Sequence, residues 1–124
     1  MAERWERGIA AYASQLELQE DDVLPHLTAR FGERMATEAV HAAGAAWAPE
    51  SPLCLRERSL IVLTALAAQG GVDARLRPHV RWAIEHGATH PEIEALLAFL
   101  AVYIGYPRAS VAMDVAREVL DQLE

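Results

Sequence analysis

Residues 55 to 69 read LRERSLIVLTALAAQ, a stretch charged in its first turn and then apolar on nearly every side, and Gly70 and Gly71 follow it directly. A helix that is hydrophobic all round belongs at the centre of a bundle or in a subunit interface. Glycine readily takes the left-handed conformation that closes a helix, so the stop is expected at the Gly-Gly pair. Other elements of the 124-residue chain, or a second subunit, must therefore cover this segment. That length allows one domain with a real hydrophobic core and is too short for two independent ones.

Helical periodicity recurs on both sides of this segment, and strand alternation does not. Trp5, Ile9, Tyr12, Ala13 and Leu16 fall on one stripe, at spacings of three and four. The acidic QEDD turn interrupts that helix, and the stretch from Val23 to Trp47 carries Pro25, Gly32 and Gly44. It reads as a short helix followed by a longer one, from about Glu33 to Trp47. In APESP, residues 48 to 52, two prolines remove backbone donors and restrict the residues before them, which makes this a connector. A helix is predicted from Asp73 to His86, with Pro78 near its start and Gly87 at its end. Thr89 is placed to cap the next helix with Glu92 as its capping-box partner, and that helix runs from His90 to Ile104. After Gly105, Pro107 suits the first turn of a last helix with a stripe of Ala112, Val115, Ala116, Val119, Leu120 and Leu123. The expected fold is all-α, a single-domain bundle of six or seven helices. Residues 55–69 and 92–104 carry more apolar surface than one small domain covers, so self-association is expected.

Composition narrows the function. A net charge of −7 gives no basic face for nucleic acid or an anionic membrane. Cys54 is the only cysteine, which leaves no intramolecular disulfide, redox pair or cysteine-rich zinc site and fits a reducing cytoplasm. The first residues, MAERWERGIAAYASQLEL, lack the apolar core of a secretory signal. The longest apolar run, Ala95 to Tyr106, falls short of the roughly 20 residues that cross a bilayer.

Four elements, LRERSL at residues 55–60, His79-x-Arg81, HGATHPEIEALL at 86–97 and YIGYPRA at 103–109, occur in an order and spacing similar to those of the carboxymuconolactone decarboxylase family. Members of that family share their all-helical fold with alkylhydroperoxidase D. The resemblance covers residues 53 to 120, with weaker agreement at GAAW before the proline loop. It implies a helical subunit assembled into homotrimers or homohexamers, with pockets near subunit contacts and no cofactor. The redox branch of the family uses a Cys-x-x-Cys pair, which this chain lacks, so it does not resemble a thiol peroxidase. Where the decarboxylases resemble EIxEVLLQ and WGEIW, this chain has EIEALLAF and AGAAW. Ala95 and Phe99 thus replace a carboxylate and a polar residue, which implies a more apolar pocket.

Decarboxylation of such a lactone leaves an electron pair that must be delocalised into the carbonyl, so a site needs donors at that oxygen and an acid that returns a proton to carbon. His79 suits the proton transfer. It lies at the boundary of the inward face made by Leu76, Val80, Ala83 and Ile84, where a satisfied core histidine is the alternative. Arg58, one turn into the apolar helix, needs a carboxylate, either of the substrate or of the protein. Tyr103 offers a hydroxyl to an oxyanion, or is a core residue with a hydrogen-bonded tip. These three are the catalytic candidates. Glu38 and His41, three apart on one helix face, together with Trp82 and Phe99, are candidates to line the substrate site; two ligands alone do not make a metal site. Arg81 is expected to face solvent, His90 and Glu92 to serve a cap, and Cys54 to be inert. The leading reading is a cofactor-free lyase or isomerase that forms and reprotonates an enolate on a small carboxylated lactone or related cyclic substrate. A tailoring cyclase or decarboxylase of secondary metabolism, with a more apolar pocket, is the second, and a non-catalytic oligomeric binding protein the third.

Overall fold

The computed structural model describes residues 2–123, which form seven helices and no strand: α1 (Ala2–Leu16), α2 (Glu20–Phe31), α3 (Glu33–Ala46), α4 (Leu55–Gln69), α5 (Asp73–Glu85), α6 (His90–Ile104) and α7 (Tyr106–Gln122). The all-α expectation holds. The chain divides into two compact units, Met1–Pro52 and Leu53–Glu124, and each is described by itself.

In the first unit the predicted α1 stripe of Trp5, Ile9, Tyr12, Ala13 and Leu16 packs against the buried Val23, Leu27, Ala36 and Val40. Helices α1 and α3 run antiparallel and touch through glycine. A Cβ on Gly8 would overlap the carbonyl of Val40, and one on Gly44 would overlap the carbonyl of Arg4. Arg4 Nε donates to the His41 carbonyl across the same seam at 2.9 Å. Helix α1 ends with Glu17 at φ 59°, and the Leu18 N–H reaches back to the Ala13 carbonyl at 3.0 Å, a Schellman closure in which a glutamate holds the position glycine favours. Pro25 sits in the second turn of α2, where it removes one backbone hydrogen bond.

In the second unit α4 packs against α5, α6 and α7. Its Leu63 and Ala67 meet Leu76 and Val80 of α5, Ile93 and Leu97 of α6, and Ala116 and Leu120 of α7. Within its own unit α4 is covered on most sides, with Ile61 left 52% exposed. The α7 stripe is buried as read, except that Leu123 falls past the helix end and is exposed. The cap at α6 forms as predicted: Glu92 N–H donates to Thr89 Oγ1 at 3.2 Å, and Thr89 N–H to Glu92 Oε1 at 2.9 Å. The same Glu92 carboxylate pairs with the Arg56 guanidinium and so ties the start of α4 to the start of α6. At the other end Arg108 donates to the Ala68 carbonyl at 2.9 Å, so the first turn of α7 satisfies one of the last carbonyls of α4. Among the described residues no helix is long and apolar enough to cross a membrane.

Candidate active site

Helix α4 presents a buried face at intervals of four residues, Ser59, Leu63 and Ala67, so the serine points inward with the core. It is 2% exposed. A buried hydroxyl needs a hydrogen-bond partner, and Ser59 finds it on α5, where its Oγ lies 2.7 Å from Nδ1 of His86. His86 is the residue that closes α5, brought there by a helix antiparallel to α4.

Three rings stand along one side of α5, because residues 79, 82 and 86 follow at three and four. The Trp82 indole is 3% exposed. Its centroid lies 4.4 Å from that of His86, with the planes tilted by 47°, and 5.9 Å from that of His79. Trp82 is therefore a wall between two imidazoles, each of which is only half-buried and keeps an edge towards solvent.

The electrostatics keep both imidazoles neutral. Burial pushes the His79 imidazolium down to about 4, and the charge of His86 adds to this. For His86 burial again lowers the value, the Glu85 carboxylate opposes this, and the Arg58 guanidinium lowers it further. Arg58 thus stands as a cation beside His86, at the start of α4. An imidazole with so low a pKa is unprotonated at neutral pH, a weak proton acceptor that becomes a strong acid once it is protonated. The arrangement offers a proton acceptor, a second imidazole, a fixed cation and an apolar wall, the parts needed to move a proton near a developing negative charge. Among the described residues no three His, Cys, Asp or Glu side chains converge to hold a metal ion.

Of the residues singled out from sequence, His79 and Trp82 are in ring contact, and Arg58 acts on His86, the other ring against Trp82. Glu92 of α6 pairs with Arg56, two residues before Arg58. Tyr103 is 73% exposed and Phe99 61% exposed, so neither is a core residue. They form a ring pair with each other at 5.2 Å on the outer side of α6, a helix that packs on α4 and α7. The core side of α6 is taken by Ile93, Leu97 and Leu100, which turns positions 99 and 103 outwards within one subunit. Glu38 and His41 belong to the first unit, where Glu38 is exposed and the His41 ring lies edge-on to Trp5 at 5.2 Å. Arg81 is half-buried against Glu85, with 3.0 Å between charged atoms, and does not simply face solvent. Cys54 is exposed, and its backbone N–H caps onto Glu57 at 3.0 Å.

Sequence reasoning missed Ser59 and the role of His86. A signal for the first existed: serine is the one polar residue in the 59, 63, 67 series that the helix turns inward. The sequence puts His86 at the end of α5, on one stripe with Arg75, His79 and Trp82, and gives no sign of its contact with Ser59, 27 residues away. A cavity of about 350 Å³ does occur in this unit, lined by Leu66, Gly70, Asp73, Leu76 and Arg108. It lies at the α4–α5 turn, at the opposite end of α4 from Ser59.

Comparison with known proteins places residues 32–118 within the model of the carboxymuconolactone decarboxylase family. A curated relative, the 4-carboxymuconolactone decarboxylase of Acinetobacter baylyi, is 36% identical over 66 residues, which is 53% of this chain and 48% of that protein. The chain thus spans about half the length of the curated relative it matches.

Proposed function

Because the chain belongs to the carboxymuconolactone decarboxylase family, we propose that it is a cofactor-free carboxy-lyase or isomerase acting on a small carboxylated lactone or a related cyclic acid, at the Arg58–His79–His86 cluster. One observation carries this reading: within the matched segment, two imidazoles flank a buried indole, and the Arg58 guanidinium acts on one of them, His86. Loss of carbon dioxide moves the electron pair of the broken C–C bond into the lactone carbonyl. Arg58 supplies positive charge towards that developing enolate, and His79 passes a proton to carbon as the enolate collapses. Loss of carbon dioxide from a carboxylate consumes one proton, which His79 takes up from hydronium in solution and hands to carbon. Tyr103 has no part in this within one subunit.

The test is turnover of 4-carboxymuconolactone, the compound named for the relative, followed by loss of the lactone and release of carbon dioxide. His79→Gln is expected to keep the fold and lose about 100-fold or more of the turnover. A His79→Gln protein that is destabilised yet fully active per folded molecule would return His79 to the core. Failure of the wild type on this lactone, with turnover of a bulkier and more apolar cyclic acid, would favour the tailoring enzyme, in keeping with Ala95 and Phe99. Self-association belongs to the same proposal. Phe99, Val102, Tyr103 and Tyr106 are each more than 60% exposed, an apolar patch at the end of α6 that a second copy would cover.

A further inference from the structure

We propose that Ser59 is a positioning residue that holds His86 as the tautomer with its hydrogen on Nε2, and that His86 acts as a neutral hydrogen-bond donor to the oxyanion formed in the reaction. This deepens the proposed function and rests on it for the oxyanion. The assignment of Ser59 does not.

The inference begins from the contact between Ser59 Oγ and Nδ1 of His86 at 2.7 Å, made by a side chain that is itself buried. Which ring nitrogen of a histidine carries hydrogen is set by the bond the other one makes. A hydroxyl that donates to Nδ1 occupies that nitrogen's lone pair and leaves the hydrogen on Nε2, the tautomer a neutral imidazole already prefers in water. Trp82 lies against the ring at 4.4 Å and restrains its rotation, so the Nε2–H direction is fixed by two contacts from two helices. The groups facing His86 include Arg58 and Ser59 on α4 and His79, Trp82 and Glu85 on α5. Of these the guanidinium and burial favour the neutral ring over the imidazolium, with Glu85 opposing. A neutral, oriented N–H donor stabilises an enolate oxygen without first giving its proton away. The two histidines then divide the work: His79 moves the proton, and His86 with Arg58 receives the charge. No covalent bond to Ser59 is involved, since its hydroxyl hydrogen is committed to the ring.

Two measurements test this on the full chain. The first needs no substrate: long-range proton–nitrogen correlation spectra of the imidazoles between pH 5.5 and 8, with the His86 signals assigned by their loss in His86→Gln. The expected result is hydrogen on Nε2 and a bare Nδ1 in the wild type, with an averaged mixture of tautomers in Ser59→Ala, a variant that removes one buried oxygen. Hydrogen on Nδ1, an imidazolium at pH 7, or an unchanged tautomer in Ser59→Ala overturns the positioning role. The second uses 4-carboxymuconolactone. His86→Leu is expected to lose about 100-fold or more in kcat, while His86→Gln, whose amide N–H can take the place of Nε2–H, retains clearly more. Ser59→Ala should fall by roughly 10- to 100-fold, the scale of losing an orienting partner. Equal loss in His86→Gln and His86→Leu makes His86 a proton acceptor and overturns the donor role. A wild type inactive on the lactone counts against the proposed function and against the oxyanion role drawn from it, whereas the tautomer spectra still decide Ser59.

Discussion

His79 shows how much a position inside the fold changes a side chain. Its pKa falls from the ordinary 6.5 to about 4, chiefly by burial. The unfolded chain therefore takes up a proton before the folded one does, and stability is lost as pH falls from about 6.5 to about 4, then no further below that. For this half-buried group the loss is on the order of 2–3 kcal/mol at its fullest, and less where solvent reaches the ring. Urea midpoints at pH 7, 5.5 and 4.5 should drop more steeply for the wild type than for His79→Gln, which has nothing to protonate. Parallel curves would mean that the ring already titrates normally in the fold. The residues legible from sequence were those whose surroundings are local. Thr89 and Glu92 meet within one helix turn, and the Leu76–Val80–Ala83 face follows from helical period alone. Ser59 and His86 depend on two helices lying antiparallel at a given register, and that register is written in no short stretch of sequence.

At the level of helices, boundaries were readable wherever glycine, proline or a capping pair marks them, and α3 ends at Ala46, one residue before the expected Trp47. The close approach of α1 and α3 was not readable. Gly44 falls inside the helix expected from Glu33 to Trp47 with no role assigned to it, whereas it and Gly8 are the places where one backbone lies against the other. Gly44→Ala should therefore destabilise the first unit. The strain of forcing a methyl against the Arg4 carbonyl, about 1–3 kcal/mol, outweighs the roughly 1 kcal/mol that alanine gains in a helix. Glu17→Gly should act the other way. It relieves a left-handed glutamate at a cost of about 1–2 kcal/mol, part of which glycine's extra chain entropy takes back. Thermal unfolding of the two variants beside the wild type checks both signs. A Gly44→Ala protein as stable as the parent would mean that the two helices separate without penalty.

Across the whole molecule the all-helical class followed from periodicity, while the outward direction of the α6 aromatics did not, because a helix apolar on every side gives no sign of which side meets its own subunit. The apolar patch at the end of α6 predicts assembly: light scattering should return a multiple of the chain mass, and Val102→Asp, at a residue 81% exposed, should shift it towards one chain without unfolding it. A wild type that is monomeric at micromolar concentration would remove this patch as an interface. If copies do cover it, folding and assembly share one equilibrium. The melting temperature then ceases to be a constant of the sequence and rises with protein concentration, as mass action requires of a fold completed by its neighbours. Dilution would act on this protein as a mild denaturant.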